Sequence, residues 1–168
     1  MLQLPKDFMK DRIALTGVTG YIGGRLAPRL LGAGYAIRCL VRFPAKLDGR
    51  DWVGNPDVEI ERSDLANSDA LAASLKGCRA AFYLVHSMSS ARSDYVERDL
   101  FLATIFAEAA RQAGVQRIVY LGGLGETGKD LSQHLASRRE VEKAMASAGV
   151  PVTVLRVPVP HHSRFCAI

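Results

Sequence analysis

Residues 12–24, RIALTGVTGYIGG, carry a short strand-like run straight into glycines at positions 17, 20 and 23. Few local geometries accept that order. Glycine enters the left-handed backbone region at little cost and lets two backbones approach closely. The segment that follows has apolar residues at helical spacing, so the whole stretch describes a strand delivered into a helix through a tight turn. The first amides of such a helix have no intrahelical acceptor and are suited to meet an anion.

The same alternation runs along the chain. Strands are expected at Arg12–Thr16, Ala36–Val41, Val58–Arg62, Ala80–His86, Arg117–Leu121 and Val152–Arg156. Several are nearly continuous in aliphatic and aromatic residues, as strands are when helices cover both sheet faces. Helices are expected over Tyr21–Ala33, Ala45–Val53, Asp69–Leu75, Ala91–Ala113 and Leu131–Ala148. Strand and helix in alternation imply right-handed crossovers and an α/β, doubly wound parallel sheet of about six strands, of Rossmann type. Pro28 breaks a local rule inside the first helix, where it cannot donate to the Gly24 carbonyl. Either a kink or a divided helix is expected there.

With 168 residues, 48% hydrophobic and 23% charged, the chain suits one globular domain. No apolar run approaches the roughly 18 residues that span a bilayer. The N-terminal MLQLPKDFMKDR lacks the apolar core of a secretory leader, so a cytoplasmic protein is expected. Cys39, Cys78 and Cys166 have no C-x-x-C spacing, and Cys39 reads as a reduced, buried thiol. The net charge of +5 is scattered without an aromatic–basic array, which argues against nucleic acid. A basic crevice for a phosphate-bearing small molecule accounts for it equally well. His161, His162 and Cys166 lack further ligands, so no metal is expected. Pro158 and Pro160 block helix, which divides the chain into a domain over 1–157 and an irregular tail over 158–168.

The glycine turn is the chemical centre. Gly17, Gly20 and Gly23 allow the tight bend, the approach of backbone to a pyrophosphate and close packing of helix on sheet. Tyr21 and Ile22 supply the first helical amides, and Thr16 and Thr19 are expected to hydrogen-bond within the turn. In NAD-binding versions of this unit an acidic residue about 20 positions further on holds the ribose 2′-hydroxyl. Here the second strand ends in Arg42 instead, and a guanidinium suits a 2′-phosphate. NADP(H) is therefore the expected cofactor, with NAD as the alternative. A solvated strand-end arginine is the other reading of Arg42.

TGVTGYIGG, LVR, SDL at 63–65, YLVHSM at 83–88, YLGGLGE at 120–126 and HLASRREVE at 134–142 together resemble the atypical short-chain dehydrogenase/reductases. The resemblance is to the branch that holds NmrA-like NAD(P)-binding proteins and nucleoside-diphosphate-sugar epimerases, and it covers about residues 10 to 157. It implies that Gly17, Thr19, Gly20, Tyr21 and Ile22 bind pyrophosphate and Arg42 the adenosine phosphate. It also implies that Asp64 and Leu65 contact adenine and that Val85, His86 and Ser87 line the cofactor. Asp64 as a helix cap and His86 as a satisfied strand-end residue are the structural alternatives. Members usually continue past the sixth strand into a substrate lobe, which is expected to be largely missing from this chain.

The resemblance also implies a catalytic tyrosine and lysine where this chain has His134 and Arg138. His134, Arg138, Val141, Met145 and Ala148 share one helical face, which puts the first two at the helix N-terminal end, near the edge where ligands bind. The histidine side chain titrates near neutral pH and could donate a proton, whereas arginine stays charged and cannot relay one. The serine implied after the fifth strand is replaced by the glycines of LGGLGE. Glu126, Lys129 and Tyr120 are further candidates on the same edge. Two functions remain open: an oxidoreductase- or epimerase-like enzyme moving hydride between NADP(H) and an unknown small carbonyl or hydroxyl substrate, and a non-catalytic NADP(H) sensor or assembly protein. Leu100, Phe101, Leu102, Ile105 and Phe106 wrap more than one stripe of the long helix, which leaves part of it for a neighbour unless both sides are covered within the monomer; the resemblance implies a homodimer through this helix.

Overall fold

The computed structural model describes residues 10–85, 94–123 and 133–157, with the side chains of 94–95, 123 and 133–137 outside that description. Six strands form one parallel sheet: β1 (Arg12–Thr16), β2 (Ala36–Val41), β3 (Val58–Arg62), β4 (Ala80–Tyr83), β5 (Arg117–Gly123) and β6 (Val152–Val157). Between them run α1 (Tyr21–Gly32), α2 (Ser68–Leu75), α3 (Asp94–Gln112) and α4 (Gln133–Ser147). The spatial order is β3-β2-β1-β4-β5-β6. Chain direction across the sheet therefore reverses at β1, which has β2 on one side and β4 on the other. The carboxyl end of β1 is the switch point at which doubly wound sheets bind ligands.

Side-chain alternation divides the interior into two layers. Ala14, Leu40, Ala81, Tyr83, Ile118 and Tyr120 point to the layer shared with α2, α3 and α4. Leu15, Ile37, Cys39 and Val41 point to the layer under α1, where Ala27, Leu47 and half-buried Trp52 complete the packing. Because both faces of the central strands are covered, their sequences are apolar without a polar alternation. The alanines of α3 at 103, 107 and 110 are buried. Their small side chains let this helix lie close to the sheet while Phe106 reaches the ring of Tyr83, 4.9 Å between centroids.

The strands agree with the sequence-based ranges to within a residue or two, except that β4 ends at Tyr83 where a strand to His86 was expected. His86 lies outside the described residues. Three local expectations are corrected. Ala45–Val53 is not a helix: a 3-10 turn at Pro44–Leu47 is followed by irregular turns. Gly49 there has φ +78°, a left-handed value that a helix cannot continue through. Secondly, α1 is one continuous helix with Pro28 inside it, not two. Pro28 sits on the exposed side, away from the buried stripe of Gly23 and Ala27. Thirdly, the cap of α2 is Asn67, whose side chain accepts from the Ala70 amide at 3.1 Å. Asp64 instead closes the preceding turn by accepting from the Ala66 amide at 3.1 Å.

Candidate functional site

The turn between β1 and α1 is held from several directions. Gly17 adopts φ +66°, and a Cβ there would lie 2.7 Å from the Leu84 carbonyl oxygen. The Gly20 amide donates to the Gly17 carbonyl at 3.1 Å, and the Gly24 amide to the Gly20 carbonyl at 2.9 Å. A Cβ on Gly23 would collide with the Gly17 carbonyl and the Val18 backbone. The three motif glycines thus serve a bend, an approach and a helix packed onto its own turn. The buried Thr16 hydroxyl donates to the Phe82 carbonyl at 3.0 Å and accepts from the Leu84 amide at 3.2 Å. It joins β1 to β4 and does not bond within the turn as expected, because its side chain points across the switch point.

What this leaves is an open helix terminus. Gly20 is the N-cap of α1, has no side chain to cap with, and no acidic residue stands in the first turn. The amides of Tyr21, Ile22 and Gly23 have no intrahelical acceptor by their position. Tyr21 and Ile22 are exposed, 47% and 43%. The Arg25 guanidinium stacks on the Tyr21 ring, 3.6 Å from its centroid. The partial positive charge of the terminus is therefore supplemented by a nearby cation.

The residues expected beside the turn come from the neighbouring strand ends. Thr16 is in register with Leu40, so Arg42 follows β2 on the same edge, and its side chain is exposed. Two cations approach the Phe43 ring, the Arg42 guanidinium carbon at 6.0 Å and Lys46 Nζ at 5.7 Å from its centroid. Asp64 is exposed just beyond β3, whereas the Leu65 side chain is 8% exposed and belongs to the core. The buried Ser63 hydroxyl between β3 and Asp64 has no hydrogen-bond partner among the described residues. Val85 is half-buried against the core beyond β4. His86 and Ser87 lie outside the described residues.

A residue that sequence reasoning missed completes the turn. Arg50, from the irregular segment after β2, donates through Nη2 to the Thr19 carbonyl at 3.0 Å. Its Nη1 fills the space that a Cβ on Gly24 would need. Nothing in the sequence signals this, since the segment carries no periodicity that would aim a side chain.

On α4, Val141 and Met145 are buried and Ala148 half-buried, so the expected face does lie on the sheet. His134 belongs to the first turn of α4, with its side chain outside the described residues. Arg138, one turn later, is half-buried, and its backbone carbonyl accepts from the Tyr120 hydroxyl at 3.5 Å. Burial pushes the Tyr120 phenol up to about 12, against the smaller opposite pull of the Arg138 charge. Tyr120 thus stays protonated at neutral pH. Gly122 and Gly123, where a serine was implied, are β5 residues in register with Arg156 and Val157. A Cβ on Gly122 would lie 3.1 Å from Val154 Cγ1, so this position is crowded by β6.

Among the described residues no group of histidine, cysteine and carboxylate side chains could hold a metal ion, and no helix is long and apolar enough to cross a membrane. His161, His162 and Cys166 lie outside them.

The chain is similar to known proteins in sequence and in fold. The chain is 31% identical over 145 residues to a (4-alkanoyl-5-oxo-2,5-dihydrofuran-3-yl)methyl phosphate reductase of Streptomyces griseus, covering 86% of this chain and 46% of the relative. It is 33% identical over 151 residues to a ceramide reductase of Caulobacter vibrioides, covering 87% and 45%. The triphenylmethane reductase of Citrobacter sp., solved in complex with NADP(H), superposes with TM-score 0.70 at 26% identity, covering 86% of this chain and 48% of that one. The chain thus spans a little under half the length of these relatives. The NmrA-like family matches residues 9–161, a stretch that takes in the glycine turn, all six strands and α4; this chain belongs to the NmrA-like family.

Proposed function

We propose that the chain holds NADP(H), with NAD(H) as the weaker alternative, across the carboxyl edge of the sheet. On this reading it serves an oxidoreductase- or epimerase-like reaction on a carbonyl or hydroxyl group of a small molecule. The observation that carries the reading is the uncapped start of α1, walled by glycines too crowded to bear side chains. That cradle fits a pyrophosphate, and its amides meet the phosphate oxygens. Arg42 at the adjacent strand end fits a 2′-phosphate. The NADP(H) complex of the Citrobacter protein supports the same choice, and the reductase relatives support a reductive reaction. When bound, the nicotinamide would supply or accept hydride. His134 is the candidate to give or take the accompanying proton, and Arg138 to hold ribose or phosphate oxygens. The domain over 1–157, a cytoplasmic setting suited to the buried free thiols of Cys39 and Cys78, and a homodimer through exposed Leu100 and Phe101 of α3 belong to the same proposal.

A second reading, a non-catalytic NADP(H)-sensing protein acting through a protein partner, is favoured by one feature. Gly122 stands in a crowded strand where a catalytic serine was implied.

Titration of the purified chain with NADPH and NADH, followed by nicotinamide fluorescence, tests the cofactor assignment. NADPH is expected to bind tighter, and Arg42→Ala to weaken NADPH about tenfold or more while leaving NADH unchanged. Tighter binding of NADH by the unsubstituted chain removes Arg42 from its role. His134→Ala, assayed on any carbonyl compound the chain reduces, is expected to lower turnover about a hundredfold or more. Unchanged turnover takes His134 out of the chemistry.

A further inference from the structure

The fourth glycine of TGVTGYIGG lies one residue past the three motif glycines, and Arg50 belongs to no motif. The two meet. The guanidinium lies in the notch left by the absent Gly24 side chain, and from there it donates to the Thr19 carbonyl at 3.0 Å. Arg50 is half-buried, and among the described residues its guanidinium has neither a carboxylate partner nor another hydrogen bond. A partly desolvated cation without a counter-ion is costly unless it serves a neighbouring polar group or a bound anion. The Thr19 carbonyl precedes the Gly20 amide, which is itself spent on the Gly17 carbonyl at 3.1 Å. Gripping this peptide at its oxygen fixes its plane, and with it the direction of the amides that begin α1, those of Ile22 and Gly23 among them, which by their position have no intrahelical acceptor.

We propose that Arg50 is a positioning residue for the pyrophosphate cradle, locking the segment after β2 onto the glycine turn through the notch at Gly24. The proposal rests on the dinucleotide reading and adds a distinct role to it. Arg42 discriminates between the two cofactors by their 2′ substituent. Arg50 acts on the part they share. The reason for Gly24 follows: an alanine there displaces the guanidinium, which can swing away as the far end of a flexible side chain, so the helix itself is not strained.

The test is titration of NADPH and NADH into the unsubstituted chain, Arg50→Ala, Arg50→Lys, Gly24→Ala and the Arg50→Ala/Gly24→Ala pair, with apo melting temperatures alongside. Arg50→Ala is expected to weaken both nucleotides by the same factor, about tenfold, the equivalent of one hydrogen bond from a charged donor. Gly24→Ala is expected to reproduce that loss without lowering the apo melting temperature, since alanine favours helix over glycine. The double variant is expected to be no weaker than either single one, because both remove the same contact. Lysine keeps the charge but not the planar fork, so Arg50→Lys recovers only part of the loss. Additive losses, a loss confined to NADPH, full recovery by lysine or undiminished binding by Arg50→Ala each overturn the proposal while the cofactor reading stands. Absence of binding by the unsubstituted chain overturns both.

Discussion

At Gly17 the backbone angle and the available space make separate demands, and substitutions can tell them apart. Gly17→Ala meets a left-handed φ of +66° and a carbonyl 2.7 Å from its new methyl group. Gly34→Ala meets φ +89° with nothing within 4 Å. The second is expected to cost about 1 kcal/mol, the penalty for the left-handed region alone. The first is expected to cost about 3 kcal/mol, because backbone on two strands must also give way. Urea unfolding of the two variants checks this, and equal losses would mean that the Leu84 contact relaxes freely. The glycine turn was legible in the sequence because three small residues at fixed spacing after a strand have few other uses. Arg50 was not legible. Its importance lies in where an irregular segment happens to carry it, and irregular segments have no period to read.

The elements divide along the same line. Strands such as Ala36–Val41 betray themselves by continuous apolar sequence, since the sheet is covered on both faces. The stretch after β2 misleads because Ala45, Lys46 and Leu47 favour helix while Gly49 and Gly54 end it. On α3 the apolar residues are too many for one stripe, and the fold divides them. Leu102 and Phe106 are buried, while Leu100 and Phe101 are exposed at 37% and 57%. If that exposed pair joins two copies, Phe101→Glu puts a charge into the contact on each side and is expected to shift a dimer to monomer at micromolar concentration. Sedimentation velocity checks the result, and a monomeric unsubstituted chain refutes the dimer. Helix α4 was readable as a face, Val141 and Met145 being buried as expected. The chemistry of His134 was not readable, since the role of an acid depends on geometry that residue type does not carry.

For the molecule as a whole, burial sets an alkaline limit. Cys39 is fully buried, and burial pushes its thiol from 9.0 to about 12. Tyr120 is raised by burial from 10.0 to about 12. Both groups hold their protons more tightly when folded, so the stabilisation is complete below the unfolded values and declines as pH rises from about 9 towards 12. Cys39 alone is expected to withdraw on the order of 1 kcal/mol of stability between pH 7 and pH 10. Cys39→Ala, despite a smaller stability at neutral pH, should therefore decline less steeply in urea titrations across that range. An identical slope would show that the thiol does not titrate on unfolding. The hydroxyl of Thr16, bonded to both Phe82 and Leu84, has a consequence for any attempt to pare the molecule down. The wall behind the glycine turn is built by residues 66 and 68 positions downstream of Thr16, so an excised first strand–helix–strand unit would keep the fingerprint and lose the grip.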